Sequence, residues 1–294
     1  MPSAIPPVTV GRGRARVVVG GRLPVMILGP CVIESRAHAL AMARRVLAAA
    51  RRAGLPAVFK ASFDKANRTS GASFRGQSID DGLAILSEVR ERTGLPVTTD
   101  VHEAWQVERA AQHVDLLQVP ALLCRQSDLI LACAASGVPT SVKKGQFLAP
   151  WDCRNLVAKF QAAPAPRGAA RQRLILIERG TSFGYNTLIN DFRALPQMRQ
   201  LGVPVIFDAT HSVQAPGGQG DRSGGASHYA PMLARAALAC GVEGVFMETH
   251  DQPAKALSDG PNSIPSRHLP GVLRELRGLH DHLGRPDPPQ PFAT

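Results

Sequence analysis

The sequence has few residues that stack on nucleic-acid bases and no long apolar run. Its 294 residues include two Trp and two Tyr, so platforms for base stacking are scarce. No stretch of about eighteen apolar residues occurs, which argues against a membrane-spanning helix. The first residues lack the continuous apolar segment of a secretory signal. We therefore expect a cytoplasmic protein with neither a nucleic-acid nor a membrane partner.

Cysteine is also sparse, and its pattern argues against a disulfide framework. The chain has five cysteines, an odd number, and no CxxC pair. This usage favours reduced thiols in a cytosolic protein. A GxGxxG motif that opens a helix is likewise missing, which counts against a doubly wound dinucleotide-binding sheet.

Positive charge is abundant, with a formal net charge of +11 and a pI of about 10.2. Such a balance is compatible with nucleic acid, an acidic membrane or an anionic small substrate. Only six of the 34 basic residues are lysines, and four of those six fall in two short motifs after strand-like runs. This clustering favours an anionic small substrate. A nucleic-acid-binding protein is the alternative from another class, and it predicts a continuous basic face with salt-dependent affinity.

Short apolar runs alternate with longer amphipathic stretches along the chain. The predicted strands are 24–28, 56–59, 96–99, 114–119, 139–142, 174–177, 204–207 and 244–247. The predicted helices lie near 36–53, 79–93, 103–112, 126–136, 152–162, 191–201, 226–240 and 266–283. Four of the helices end in a Gly-X-Pro stop signal, at Gly54, Gly94, Gly137 and Gly202.

Eight strand–helix units indicate a (β/α)8 barrel, the TIM-barrel fold, as a single domain over residues 1–283. Residues 14–22 read as a small β-hairpin ahead of the barrel, which could plug its bottom. Residues 284–294 are rich in proline, and we expect a disordered tail there.

Polar or ionisable residues stand at the ends of all eight predicted strands. In a barrel these ends meet at one mouth, where chemistry is located. Charged groups gathered there are costly unless they pair with each other or with a ligand. The basic members predict a highly anionic substrate, because arginine and lysine suit phosphates and carboxylates; they are Lys60, Lys65, Arg68, Lys143 and Arg179.

A second set combines a thiol, an imidazole and two carboxylates from separate segments: Cys31, His211, Glu248 and Asp259. Together they could hold one divalent metal ion. Zn²⁺, Fe²⁺ or Mn²⁺ suits a thiolate and an imidazole better than Mg²⁺ or Ca²⁺, which prefer oxygen ligands. The alternative is that Cys31 is a small buried side chain and that the acids form ion pairs.

A glycine-rich segment, "HSVQAPGGQGDRSGGASH", covers residues 211–228. It could form a lid over the mouth that excludes water and then opens. A simple flexible connection is the alternative.

Several long motifs resemble one enzyme family. "GPCVIES", "FKASFDKANRTS", "TTDVHE", "QVPALLCRQSDL", "VKKGQF", "ERGTSFGYN", "FDATHSVQ" and "METH…ALSDGPNS" look like 3-deoxy-D-manno-octulosonate 8-phosphate synthase. The resemblance runs from about residue 25 to 275. It implies condensation of phosphoenolpyruvate with D-arabinose 5-phosphate and water, which yields the eight-carbon sugar acid phosphate and inorganic phosphate for lipopolysaccharide synthesis. It also implies a cytoplasmic homotetramer.

The same resemblance implies roles for individual residues. Those that match the phosphoenolpyruvate site are Lys60, Lys65, Gln118, Ala121, Lys143 and Arg179. The segment that binds the pentose phosphate is matched by Asn67, Arg68 and Thr69. In the family, Arg68 and Thr69 would reach in from a neighbouring subunit. Asp100 matches a residue near the aldose. The set with implied catalytic roles is Lys60, Asp100, Lys143 and His211.

The resemblance also identifies Cys31, His211, Glu248 and Asp259 with the ligands of a metal-dependent branch. The metal-independent branch has Asn at the position of Cys31, so the cysteine favours metal dependence. Two departures are visible: Thr69 stands where Ser is usual, and "METHDQPAK" lacks the proline that usually follows the His.

The nearest alternative is a 3-deoxy-D-arabino-heptulosonate 7-phosphate synthase, which condenses phosphoenolpyruvate with erythrose 4-phosphate. In that enzyme the loop after the second strand reads more like "KPRTSP" than "DKANRTS". The longer segment here favours the five-carbon aldose.

Overall fold

Eight parallel strands form the centre of the chain and close on themselves as a barrel. A computed structural model describes residues 5–13, 15–66, 74–164, 166–170, 172–217, 224–287 and 289. Each strand pairs with the next along the chain, and the last strand pairs with both the first and the seventh. The strands are Val25–Gly29, Ala57–Lys60, Val97–Asp100, Leu116–Val119, Thr140–Lys143, Leu174–Glu178, Val205–Asp208 and Gly244–His250. The predicted (β/α)8 barrel is confirmed.

Eight α-helices follow the strands and cover the outside of the barrel. They are α1 (Arg36–Ala53), α2 (Ile79–Thr93), α3 (Ala104–His113), α4 (Ser127–Ala135), α5 (Cys153–Ala162), α6 (Ala194–Arg199), α7 (Ala230–Ala239) and α8 (Leu269–Leu283). Short 3-10 helices occupy Ala121–Leu123, Pro150–Asp152, His211–Val213, Ser227–Tyr229, Pro253–Lys255, Gly260–Asn262 and Ser266–His268. In the described ranges, no helix combines the length and apolar character required to cross a membrane.

The helix ends follow the predicted stop signals. Gly54 ends α1 with φ of 62°, and its N–H donates to the carbonyl groups of Ala50 and Arg51. Gly94 ends α2 with φ of 71° and donates to Arg90. A side chain disfavours this left-handed conformation, so glycine ends these helices at low cost.

The predicted N-terminal hairpin is present and closes the bottom of the barrel, but it begins at Val8 and so lies earlier than the expected residues 14–22. Val8–Arg12 pairs antiparallel with Ala15–Val19. Four hairpin valines are buried in one apolar cluster with residues that face the barrel interior, among them Ile27, Ile175 and Phe246. The hairpin valines are Val8, Val10, Val17 and Val19. Hydrophobic burial therefore fixes the hairpin to the end of the barrel opposite the strand C-termini.

The last helix ends at the predicted boundary, Leu283. Just beyond it, Arg285 donates from Nη2 to the carbonyl of Gly21 at 2.9 Å, and the carbonyl of Pro286 accepts from Nη1 of Arg199 at 3.2 Å. Residues 288 and 290–294 lie outside the described residues, so the disorder of the tail stays a prediction.

Candidate active site

The strand C-termini bring the polar residues together around one cavity of about 850 Å³. Among its lining residues are eight of those proposed from sequence: Lys60, Lys65, Asp100, Gln118, Ala121, Lys143, Arg179 and His211. Asp259 also lines the cavity. Cys31 and Glu248 lie directly behind this wall, within reach of Asp259 and Lys60 respectively. The predicted convergence at one mouth is thus confirmed for these residues.

The first strand brings Cys31 to the mouth through a close backbone approach. At Gly29 a β-carbon would lie 1.9 Å from the carbonyl oxygen of Lys60, so no side chain fits there. Cys31 follows two residues later, and its carbonyl accepts a hydrogen bond from Lys60 Nζ at 2.8 Å. Glycine is required where two backbones pass this closely.

Lys60 and Glu248 form a buried ion pair at the bottom of the cavity. The Lys60 Nζ atom donates to Glu248 Oε1 at 2.9 Å, and the Glu248 side chain is fully buried. Burial alone would raise the pKa of Glu248, but nearby positive charges, of which Lys60 is the strongest, outweigh it and lower that pKa to about 2. Glu248 is therefore a carboxylate at neutral pH, and its Oε2 atom is buried with no hydrogen-bond partner.

Lys143, Asp208 and His211 form a second buried group. Lys143 Nζ donates to Asp208 Oδ2 at 2.6 Å, and His211 Nδ1 lies 2.8 Å from the same oxygen. Burial would raise the pKa of Asp208, yet its contacts with His211 and Lys143 hold it well below its ordinary value. The ionised Asp208 accepts from Nδ1–H of His211. It leaves Nε2, 3.7 Å from Glu248 Oε1, as the free nitrogen.

Burial also lowers the pKa of the Lys143 ammonium, although Asp208 partly opposes this effect. Its Nζ atom lies 4.0 Å from the centre of the Phe246 ring, in reach of a cation–π contact. For Lys65, the effect of nearby groups on the pKa outweighs the effect of burial. Burial alone would lower its pKa, but the nearby acidic groups of Cys31, Asp100 and Glu248 raise it overall.

Asp100 is held by two neighbours at the end of the third strand. His102 Nε2 lies 3.0 Å from Asp100 Oδ2, and Ser62 donates its hydroxyl to Asp100 Oδ1. Burial would raise the pKa of Asp100, but Lys65 and His102 hold it well below its ordinary value. Sequence reasoning assigned no role to His102, although it stands two residues after Asp100 in "TTDVHE" and lines the cavity.

Several polar atoms at the cavity have no hydrogen-bond partner among the described residues. Gln118 Oε1, Arg179 Nη1 and His102 Nδ1 are buried without a hydrogen bond. The other terminal nitrogen of Arg179, Nη2, donates to Gln214 Oε1 at 2.9 Å. Buried polar groups are normally satisfied, so the unpaired atoms indicate a polar ligand in this space.

Three of the four proposed metal ligands converge. Ligand atoms of Cys31, Glu248 and Asp259 lie within 4.8 Å of one another. The Cys31 sulfur is 3.0 Å from Asp259 Oδ2. His211 stands outside this group but faces it, with Nε2 3.7 Å from Glu248 Oε1. The structure thus brings all four side chains to one side of the mouth.

The residues fit a thiophilic divalent cation. Burial, together with Asp259 and Glu248, raises the pKa of the Cys31 thiol well above its ordinary value. A bound cation reverses this balance, because coordination stabilises the thiolate. The partnerless Glu248 Oε2 and the free Nε2 of His211 supply further donors.

A second group of possible ligands, Glu34, His38 and His250, lies behind the first. The N–H of Gln252 donates to His250 Nδ1 at 2.9 Å, so His250 carries its proton on Nε2 and donates to Glu34 Oε1 at 3.1 Å. A nitrogen that carries a proton is not free to bind a metal. This group therefore acts through hydrogen bonds.

The missing proline of "METHDQPAK" is explained by that group. Asp251 stands in its place, and its Oδ1 lies 3.1 Å from His38 Nε2. Glu34 accepts the N–H of Leu257 at 2.8 Å. The loop after the last strand is thus anchored to the segment after the first, and Asp259 still reaches Cys31.

The family model described as the DAHP synthetase I family matches residues 7–283. The chain belongs to this family. A relative from Rhodopseudomonas palustris (strain BisB5) is 57% identical over 262 residues, which cover 88% of this chain and 89% of the relative. One from Trichlorobacter lovleyi is 54% identical over 260 residues, with 88% and 93% covered. One from Cyanothece sp. (strain PCC 7425) is 51% identical over 278 residues, with 95% and 97% covered.

All three relatives bear the name 2-dehydro-3-deoxyphosphooctonate aldolase. That name denotes the same enzyme as the octulosonate 8-phosphate synthase that the motifs resemble, so the resemblance is confirmed. The heptulosonate alternative has support only at the level of the DAHP synthetase I family.

Some expectations for this family member fall outside the described residues. They concern Asn67, Arg68 and Thr69, the proposed pentose phosphate segment, and residues 218–223 of the proposed lid. Asp208 and Gln214 are described but received no role from sequence. Asp208 was noted only as a polar strand end, and nothing in the sequence near Gln214 indicated its partners.

Proposed function

We propose that this chain condenses phosphoenolpyruvate with D-arabinose 5-phosphate and water to give 3-deoxy-D-manno-octulosonate 8-phosphate and phosphate. The observation that carries the proposal is one cavity lined by four cationic side chains, beside a thiol and two carboxylates suited to a metal ion. The cations are Lys60, Lys65, Lys143 and Arg179. Relatives more than half identical carry the name of this enzyme.

The cations explain how phosphoenolpyruvate would be held. Its phosphate and carboxylate are anions, and the buried Lys143 and Arg179 offer charged donors away from solvent. Arg179 Nη1 makes no hydrogen bond to any described residue and can donate to such an anion. Gln118 lies on the same wall with an unpaired carbonyl oxygen that suits a hydroxyl donor.

The reaction forms one carbon–carbon bond and one carbon–oxygen bond, and it breaks one carbon–oxygen bond. C3 of phosphoenolpyruvate attacks the aldehyde carbon of the pentose, and the aldehyde oxygen takes a proton to become a hydroxyl. Water adds to C2, and phosphate leaves with the C2–O bond pair. Holding both substrates in position supplies up to roughly 7–11 kcal/mol in favourable cases. Asp100, fixed by His102 and Ser62, would orient the aldose.

A divalent metal, Zn²⁺, Fe²⁺ or Mn²⁺, would be held by Cys31, His211, Glu248 and Asp259. It would act as a Lewis acid or lower the pKa of a bound water. Asp208 keeps the His211 ring in the orientation that presents Nε2 to this site. Lys60 holds Glu248 ionised on the opposite side.

A homotetramer in the cytoplasm is part of the proposal. Large apolar side chains are exposed near the mouth, among them Phe147, Trp151 and Phe183. Their burial against other subunits would be favourable. Arg68 would then enter a neighbouring subunit's site, as the resemblance implies. Five unpaired cysteines suit a reducing compartment. Light scattering coupled to size-exclusion chromatography tests the tetramer.

The decisive assay supplies phosphoenolpyruvate with either arabinose 5-phosphate or erythrose 4-phosphate and follows loss of the enol absorbance. We expect a large preference in kcat/KM for the five-carbon aldose. Equal efficiency, or a preference for erythrose 4-phosphate, would support the heptulosonate alternative instead.

The nucleic-acid alternative has less support from the geometry. Lys60, Lys143 and Lys144 are almost completely buried, so they cannot belong to a basic surface that contacts a phosphate backbone. The net charge of +11 motivated this alternative, but Lys60, Lys65 and Lys143 line the cavity.

A further inference from the structure

The Gln214 side chain connects the cation proposed to hold a substrate anion with one proposed metal ligand. Its Oε1 accepts from Arg179 Nη2 at 2.9 Å, and its Nε2 donates to Asp259 Oδ1 at 3.3 Å. One amide therefore touches both halves of the site. Neither contact is visible in the sequence, because Arg179 and Asp259 lie 35 and 45 residues from Gln214.

The two contacts fix the direction of the amide. Arginine has no acceptor and an ionised carboxylate has no donor, so only one orientation satisfies both. In that orientation Arg179 keeps Nη1 for an anion, since that atom has no hydrogen-bond partner in the part of the chain that the structure describes. Asp259 keeps Oδ2 for the metal, on the side that faces the Cys31 sulfur at 3.0 Å.

The backbone at Gln214 holds this amide at the base of the glycine-rich segment. Gln214–Ala215 pairs antiparallel with Gly224–Gly225. A β-carbon at Gly225 would lie 1.6 Å from Asn262 Oδ1, so this small sheet packs directly on the turn that follows Asp259. The amide and the metal-ligand loop are thus positioned by one unit.

We propose that Gln214 is a positioning residue that couples anion binding at Arg179 to metal binding at Asp259. This rests on the roles proposed above for those two residues. An anion that orders the Arg179 guanidinium also orders the amide, and the amide then presents Asp259 to the metal. Coupling of this kind is reciprocal, so metal raises the affinity for the anion by the same factor.

The test measures Co²⁺ affinity of metal-free protein with and without phosphoenolpyruvate, in the absence of any aldose. Absorption from cobalt–thiolate coordination at Cys31 reports binding directly, without turnover. We expect phosphoenolpyruvate to tighten Co²⁺ binding about five- to tenfold in the unchanged protein. In Gln214→Met we expect the ratio of Co²⁺ affinities with and without phosphoenolpyruvate to fall to about one.

Gln214→Asn serves as a second variant, because it keeps an amide that is too short to reach both partners. We expect it also to lose the coupling. Gln172→Met is the matched control, since Gln172 donates to Gly202 at the other end of the barrel. It should keep the full ratio. Thermal melts establish that each variant is folded.

The outcomes separate this inference from the proposed function. If Co²⁺ and phosphoenolpyruvate bind the unchanged protein independently of each other, the coupling role is wrong while both sites stand. The same holds if the Gln214 variants keep the wild-type ratio. If Co²⁺ or phosphoenolpyruvate fails to bind at all, the site assignments fail and the coupling role fails with them.

Discussion

The Nζ atom of Lys60 lies 2.9 Å from Oε1 of Glu248, although 188 residues separate them in the chain. Both side chains are almost completely excluded from solvent. A buried charge is tolerated only when paired, and the positive charge of Lys60 keeps Glu248 ionised. This pair joins the proposed substrate site to the proposed metal site.

The first prediction concerns stability of the metal-free protein at acidic pH. Glu248 has a pKa of about 2 when folded, against an ordinary value of 4.5. Its stabilising contribution is therefore fully present above the ordinary value and declines as pH falls toward the folded value. Each pH unit within this window removes about 1.4 kcal/mol. Urea unfolding with chelator, repeated across the window, measures the decline.

The control for this prediction is Glu248→Gln, which cannot ionise and leaves Lys60 unpaired. At neutral pH we expect the variant to be about 3–5 kcal/mol less stable. The difference in unfolding free energy between the two proteins should narrow as pH falls below the ordinary pKa, because the carboxyl of the unfolded wild-type chain then takes up a proton while the folded one stays ionised. A gap that stays constant with pH contradicts the assigned ionisation.

The second prediction distinguishes a residue that binds phosphoenolpyruvate from one that binds the aldose phosphate. We expect Lys143→Ala to raise the KM for phosphoenolpyruvate, since Lys143 is a buried cation on the cavity wall. We expect Arg68→Ala to affect mainly use of the aldose phosphate. Loss of a charged hydrogen bond costs roughly 1.5–3 kcal/mol, or about ten- to a hundredfold. Steady-state kinetics with each substrate varied in turn measures both effects, and unchanged aldose parameters in Arg68→Ala would exclude its assigned role.

The third prediction concerns the metal. Treatment with EDTA or dipicolinate should abolish activity, and added divalent cation should restore it. Cys31→Ala should lose both metal content and activity, because Cys31 lies within 4.8 Å of Glu248 and Asp259. Cys133→Ala is the control, since Cys133 is buried in the outer core away from the site. Full activity in protein shown metal-free by elemental analysis would overturn the ligand assignment.

A fourth prediction concerns the helix ends. Gly94 has φ of 71° and Gly278 lies inside α8 with an ordinary backbone, and neither has another atom in the way of a β-carbon. Gly94→Ala should destabilise the protein by about 1 kcal/mol, because alanine disfavours the left-handed region. Gly278→Ala should instead stabilise it by about 0.5–1 kcal/mol. Chemical unfolding of the two variants measures the sign of each change in the free energy of unfolding. Equal changes in the two variants would exclude the explanation from backbone conformation.

Sequence reasoning predicted the barrel because each unit carries its own local signals. The strand runs and the Gly-X-Pro stops are contiguous, so they can be read directly. Helix starts were less accurate. α7 begins at Ala230 and α8 at Leu269, a few residues later than expected, because short 3-10 turns precede them and Pro231 and Pro270 favour the first helical turn.

The site was predicted only in part. Barrel topology showed that strand ends share one mouth, which placed Lys60, Lys143 and Glu248 near one another. It could not show which of them pair, since Lys143 meets Asp208 across 65 residues and the choice depends on side-chain orientation. The roles of Asp208 and Gln214 depend on contacts with residues that are distant in the sequence, so the sequence does not indicate them.

The N-terminal hairpin restricts how substrates enter the barrel and how products leave it. Its valines fill the end of the barrel opposite the cavity, so substrates and products share the other entrance. Of two substrates in such a chamber, the one that binds deeper would have to enter first. A small sheet remote from the reacting atoms would thereby constrain the order in which the substrates bind.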